Sequence, residues 1–282
     1  MMDAKAPSLQ GFERVLEELA SDPRLPVNFP EWIRESLIMS GAKIQFLRYI
    51  FRNLPAGGES PRLLDVGAQT GAFAVYAAKL GCRVAAVDYG SYSGVFGAIG
   101  ADHGVDYRKC DVRTQPLPFE DNSFDFVTYT DVIEHHSFSP KRILREIHRV
   151  LAPGGRLILT TPNHASIYNR VILLFGGSVN DRFDYFFDTC ADEDVYPGHH
   201  REYTRSEVRA ALEGSKFRVR ECKISEDGDM SSLIYYLRRH GLLKEAAARS
   251  RTLLVSTLGW TWTFLHLPFG RWIWAVGEKP TE

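Results

Sequence analysis

Residues 63–74 read LLDVGAQTGAFA, and the construction of that stretch decides the fold. Arg62–Val66 is a short apolar run that carries an acid, Asp65, near its end and runs directly into Gly67. Apolar residues return at Ala72–Leu80 with helical spacing, so the stretch predicts a strand, a tight turn and a helix. Glycine at such a turn either lets backbone approach a ligand closely or only permits the turn. The spacing Gly67-x-x-x-Gly71 lacks the GxGxxG of dinucleotide sites. A carboxylate at Asp65 is poorly placed beside a pyrophosphate and well placed for an ammonium group.

Working outward, Arg83–Val87 is a second apolar run ending in Asp88, 21 residues after Gly67. A Gly-rich segment over 90–104 leads to a third strand over 105–110, followed by Asp111. Phe124–Tyr129 is a fourth strand, 140–151 a charged amphipathic helix, and Arg156–Thr160 a fifth strand. Phe217–Ile224 and Trp272–Val276 add two more, and Thr204–Gly214 reads as a helix capped by Thr204 or Ser206. Strands alternating with helices predict a doubly wound, Rossmann-like α/β fold: a mostly parallel seven-stranded sheet with helices on both faces. Right-handed crossovers then set the strand-end acids along one edge, where ligands bind.

The flanks read differently. Residues 1–30 look irregular, broken by Pro7, Pro23, Pro26 and Pro30, and Trp32–Leu54 has the apolar spacing of one or two helices. The expected organisation is an N-terminal helical cap over 1–58, a core over 59–228, and a helical lid with the last strand over 229–282. Residues 176–202 read as a long loop or insertion. Lys plus Arg is 34 against 35 Asp plus Glu, which speaks against a general nucleic-acid binder. The four cysteines are far apart and form no CxxC, so neither a zinc ribbon nor a thioredoxin-like motif is expected, and a reduced compartment is the simplest reading. The first residues lack an apolar leader core, so a cytoplasmic location is the default expectation.

Asp65 for an ammonium, Asp88 for two ribose hydroxyls and Asp111 beyond them describe a nucleoside joined to an amino acid without phosphates. That combination points to S-adenosylmethionine. DVGAQTG (65–71) resembles the first motif of the class I S-adenosylmethionine-dependent methyltransferases, and VDYG (87–90) their second. Residues 111–127, TDVIEH (130–135) and HRVLAPGG (148–155) are similar to the remaining motifs, in the same order, over about 100 residues. The resemblance is to small-molecule enzymes with coenzyme-Q-methyltransferase-like motifs. It implies that Asp65, Gly67, Ala68, Gln69 and Gly71 hold the methionine end, Asp88 the ribose, and Asp111 with Val112 the adenine edge; Tyr89 either covers an adenine or ribose face or only packs near the site. Thr130 and Asp131 are implied as the floor beneath the sulfonium. Gln69 departs from the family, which often has glycine there.

Methyl transfer to oxygen gains from a general base, most often histidine. GHHREYTRSEV (198–208) resembles the stretch that borders the acceptor pocket in many small-molecule methyltransferases. His199, His200 and His135 are the candidate bases, and Asn163, Arg201 and Tyr203 the candidate acceptor contacts; Asn163 could instead close a turn. If 131–135 is helical, Asp131, Glu134 and His135 share a face that could bind a divalent cation. The expectation is instead that Glu134 and His135 shape the turn, with no metal. His148 reads as structural, and Cys82 and Cys110 as core.

The expected activity is O- or N-methylation of a small molecule such as a sugar, secondary metabolite or lipid-linked compound. Methylation of a nucleic-acid base and a non-catalytic binding subunit are the alternatives. Residues 252–269 are rich in Trp and Leu, and three readings stay open: a helical lid, a peripheral contact with membrane or lipid-linked acceptor, and a homodimer interface.

Overall fold

The computed structural model describes residues 6–25, 40–54, 60–90, 93–174, 176–181, 183, 186–187, 198–225 and 270–281. Outside the described residues lie 26–39, the 55–58 boundary, residues 188–197 of the expected insertion, and 226–269, which holds the expected lid and its Trp-rich stretch.

Seven strands form one sheet: β1 (Arg62–Val66), β2 (Arg83–Asp88), β3 (Val105–Lys109), β4 (Phe124–Thr130), β5 (Leu151–Pro162), β6 (Arg218–Ser225) and β7 (Trp272–Glu278). Their order is β3-β2-β1-β4-β5-β7-β6. The first five run parallel, and β7 inserts antiparallel between β5 and β6. This is the doubly wound sheet expected. Leu63, Leu64, Leu157, Ile158 and Leu159 are all buried, because helices cover both faces and leave no solvent side to demand alternation. After β1 the chain winds out to β2 and β3, then returns to β4 on the other flank. The crevice at the carboxyl ends of β1 and β4 is the place where such sheets bind ligands.

The helices are α1 (Leu9–Ala20), α2 (Ser40–Arg52), α3 (Ala72–Lys79), α4 (Ser93–Asp102), α5 (Lys141–Val150), α6 (Ile167–Leu174) and α7 (Arg205–Glu213). Residues of α1 to α4 pack on one face of the sheet, and those of α5 and α7 on the other. Helix α1 corrects the irregular reading of 1–30. Pro7 precedes the N-cap Ser8 and Pro23 follows the C-cap Ser21, so the prolines bound the helix without breaking it. Its apolar face, Phe12, Val15, Leu16 and Leu19, is buried, with Phe12 5.5 Å from the Tyr76 ring. On α2, Phe46 packs against both Phe73 and Trp274, so the N-terminal helices share the core of the sheet. The Gly-rich segment also holds a helix, α4, whose Gly97 and Gly100 face Tyr107 and Val105 of β3.

Candidate active site

The turn after β1 is built by two glycines and one strained neighbour. Gly67 has φ +79 and Gly71 φ +71, both in the left-handed region that glycine adopts without steric cost. A Cβ on Gly67 would stand 2.4 Å from Cγ2 of Val132, so no side chain fits there. The N–H groups of Gly67 and Ala68 donate to the Val87 carbonyl at 2.9 and 3.1 Å, tying the turn to the end of β2. Gln69 takes φ +47 with its side chain exposed. Its N–H donates to Asp88 Oδ2 at 2.9 Å and its carbonyl accepts from the Tyr107 hydroxyl at 2.8 Å. Backbone contacts alone therefore hold the position where the family often has glycine.

Asp88 braces two loops. One oxygen accepts from Gln69 N–H and the other from Gly90 N–H at 2.9 Å. A carboxylate oxygen has two lone pairs, so each retains one for a further donor. Asp65 is buried, and its Oδ1 accepts from the Thr128 hydroxyl at 2.8 Å. Burial pushes the Asp65 carboxyl up to about 6, against the Thr128 hydrogen bond and the positive charge of Lys43 on α2; the Asp88 charge adds to the rise. A buried carboxylate with that single hydrogen-bond partner among the described residues fits a ligand that brings an ammonium group. Together with the glycine cradle, it fits the amino-acid end of S-adenosylmethionine.

Beyond Asp88 the edge continues through β3. Asp111 holds Arg113 through two hydrogen bonds of 2.9 Å, and the guanidinium keeps its carboxyl below the usual range. Val112 is buried. Arg113 lies over the Tyr89 ring at 5.0 Å, and Tyr89 is 55% exposed, which gives the wall beside Asp88 an aromatic face. On the other side Thr130 ends β4 in register with Thr160. Asp131 follows with φ +57; its N–H donates to the Thr160 carbonyl and its Oδ1 accepts from the Thr160 hydroxyl at 2.9 Å. Burial raises its pKa, while the Thr160 hydroxyl, Lys43 and His199 pull it down.

Residues 131–135 do not form the α-helical face considered from sequence. Asp131 sits in the left-handed region and only Ile133–His135 make a 3-10 turn, so Asp131 does not line up with Glu134 and His135. Instead Glu134 and His135 meet His199. The His135 and His199 rings lie edge to face at 4.9 Å, and one metal-ligating atom from each of the three residues lies within 4.8 Å of the others. The Glu134 carbonyl accepts from the N–H groups of His200 and Arg201, which sets the 198–203 segment against the turn. The His200 side chain is exposed.

The remaining candidates are engaged in structure. Asn163 is buried, donating to the Gly270 carbonyl and accepting from Ala165 N–H, so it closes the turn after β5. Arg201 pairs with Glu207 at 2.6 Å and lies over the Tyr203 ring. Tyr203 is buried and bridges to Asn163. The His148 ring packs on Phe217, and Cys82 and Cys110 are buried, burial pushing the Cys82 thiol up to about 12. Sequence reasoning missed Lys43, Thr128 and Glu202. Glu202 lies three residues after His199, and that spacing was the available signal; Lys43 and Thr128 carry no local mark.

Comparisons with known proteins agree with this geometry. Residues 64–159 match the family described as methyltransferase domain. The sarcosine/dimethylglycine N-methyltransferase of Halorhodospira halochloris is 36% identical over 112 residues, 38% of this chain and 40% of that protein. The ubiquinone biosynthesis O-methyltransferase of Xanthomonas oryzae pv. oryzae (strain PXO99A) is 34% identical over 123 residues, 42% and 48% of the two. The chain thus spans less than half the length of these two curated relatives. In fold it is similar to the S-adenosylmethionine-dependent methyltransferase of Mesorhizobium loti, with a TM-score of 0.52 and 20% identity over 84% of this chain and 97% of that one. The motif series, the strand order and the matched family together support a methyltransferase domain of the class I S-adenosylmethionine-dependent kind over residues 64–159.

Proposed function

We propose that the protein transfers the methyl group of S-adenosylmethionine to an oxygen or nitrogen of a small-molecule acceptor. The observation that carries the reading is the row of carboxylates, Asp65, Asp88 and Asp131, around a glycine turn with no room for a side chain at Gly67. Bound there, S-adenosylmethionine supplies an electrophilic methyl on a sulfonium whose leaving group is neutral. The protein's part is then to align and to exclude water. Asp65 takes the ammonium, Asp88 the ribose diol, and the exposed Tyr89 ring the adenine side. The cluster of Glu134, His135 and His199 borders the acceptor and draws off its proton. The relatives support small-molecule acceptors: one is a sarcosine/dimethylglycine N-methyltransferase and the other an O-methyltransferase of ubiquinone biosynthesis. Oxygen is the preferred atom, because the cluster offers two imidazoles to a group that must lose a proton to react.

The test is an acceptor screen with radiolabelled S-adenosylmethionine over phenols, polyols and amines, with S-adenosylhomocysteine as the product followed. Turnover with an oxygen acceptor, lost on His199→Ala or His135→Ala, is the expected result. Turnover only with nucleic acid would overturn the acceptor class. A cytoplasmic location, membrane contact and dimerisation remain proposals of the same kind; among the described residues no helix is long and apolar enough to cross a membrane.

A further inference from the structure

The loop after β3 and the first turns of α5 flank an open cavity of about 460 Å³, lined by Pro116, Ser139, Lys141, Arg142, Arg145 and Glu146. It adjoins the loop that carries Asp111 and Val112, and it takes in no residue assigned to the cofactor or the acceptor.

Its charges are unbalanced. Glu146 is already engaged, pairing with Arg149 at 2.8 Å and accepting from Leu117 N–H at 3.0 Å; Arg142 acts on it only through space. The Arg142 guanidinium donates instead to two neutral groups, the carbonyls of Arg113 at 3.1 Å and Thr114 at 2.8 Å. Among the described residues the side chains of Lys141 and Arg145 have no acidic partner. The arginines on either side are paired: Arg108 with Asp106 at 2.6 Å and Arg113 with Asp111 at 2.9 Å. Leaving these three unpaired costs the fold, because Lys141 and Arg145 are like charges at i and i+4 and the first turn of α5 holds no acid. Functional sites are where a sequence breaks such local rules without compensation inside the protein.

We propose that this cavity binds the phosphate group of a small ligand. Arg142 has five N–H donors; two are spent on carbonyls that fix the guanidinium in place, and three remain for an oxyanion. Lys141 and Arg145 add their charges. The Ser139 hydroxyl accepts from Lys141 N–H at 3.4 Å and keeps its own proton to donate. Three cations suit a dianion better than the single charge of a carboxylate, and the volume takes a phosphate with a small organic group attached. The phosphate belongs either to the acceptor or to a separate metabolite. In the second case Arg142 couples the cavity to the cofactor side, since it grips the loop of Asp111. The site does not depend on the transferase reading.

The test is calorimetric titration of the full chain, in chloride buffer, with inorganic phosphate and with pyrophosphate. One pyrophosphate should bind per chain, more tightly than phosphate, and binding should weaken as salt rises. The double variant Lys141→Gln, Arg145→Gln should weaken it about tenfold or more. Thermal unfolding of that variant should be unchanged or higher, because a repulsion is removed, so the loss reads the site and not the fold. Absence of one-to-one binding, or equal binding by the double variant, would overturn the proposal. So would binding of duplex RNA with no response to either small anion, which would make the cations a nucleic-acid surface. A further titration with S-adenosylmethionine at saturating pyrophosphate separates the two sources. A changed cofactor affinity assigns the phosphate to a separate ligand. An unchanged one assigns it to the acceptor, whose phosphorylated forms should then outrun neutral ones in the radiolabelled screen. A chain that binds pyrophosphate but no S-adenosylmethionine would sink the transferase reading and leave this site standing.

Discussion

Replacing Gly67 with alanine tests the construction of the cofactor turn at its tightest point. At φ +79 an L-residue carries roughly 1–2 kcal/mol of steric strain. The added Cβ would also lie 2.4 and 3.1 Å from the two Cγ atoms of Val132, an overpacking that costs about 1–3 kcal/mol. Gly67→Ala should therefore lose about 2–5 kcal/mol, read as a lower urea midpoint at unchanged m. The two contributions separate in a double-mutant cycle. Val132→Ala removes both offending carbons and leaves the backbone strain, so the double variant should recover about 1–3 kcal/mol relative to additivity. An additive cycle, or a Gly67→Ala protein within about 0.5 kcal/mol of the parent, would refute the reasoning.

Asp65 gives a pH signature. Its carboxyl is pushed up to about 6 by burial, so between about pH 4 and 6 the native protein binds a proton that the unfolded chain has released. Stability must fall as pH rises through that window, by up to about 3 kcal/mol for a shift of about two units. Asp65→Asn should be the more stable protein at about pH 8, should converge with the parent below about pH 4, and should bind S-adenosylmethionine at least about tenfold more weakly; identical pH profiles in urea melts would contradict this. Thr204 and Glu207 form a capping box at the start of α7, so Thr204→Ala should cost about 1 kcal/mol in thermal unfolding, with cofactor binding unchanged. Asp88→Ala removes the brace between the Gln69 and Gly90 loops and should lower S-adenosylmethionine affinity about tenfold or more by calorimetry; undiminished affinity would remove Asp88 from the ribose site.

The centre of the sheet was legible because β1, β2 and β4 are short, largely apolar runs with an acid at or beside their ends, a pattern set by local chemistry. Asp65, Asp88 and Asp111 could be placed on one edge from spacing alone, since parallel crossovers leave no other arrangement. Helix α1 was not legible: its prolines were read as breakers, yet each sits just outside a cap, a distinction that depends on one or two positions. Helix α4 hid behind three glycines, which read as a loop signal. The acceptor side was half legible. His135 and His199 stood out as residues, but their meeting depends on the Glu134 carbonyl pairing with His200 and Arg201 N–H, a contact over more than 60 residues of chain. Lys43 acts on Asp65 and Asp131 from a helix that precedes the whole sheet, and nothing local announces it.

The most direct test of the central claim is calorimetric titration of the purified full chain with S-adenosylmethionine, S-adenosylhomocysteine and NAD at about pH 7.5. The strand-end acids, with the Asp65 carboxylate poorly placed beside a pyrophosphate, predict micromolar, one-to-one binding of the first two and none of the third. Binding of NAD, or the absence of binding by both sulfur nucleosides, would contradict the account.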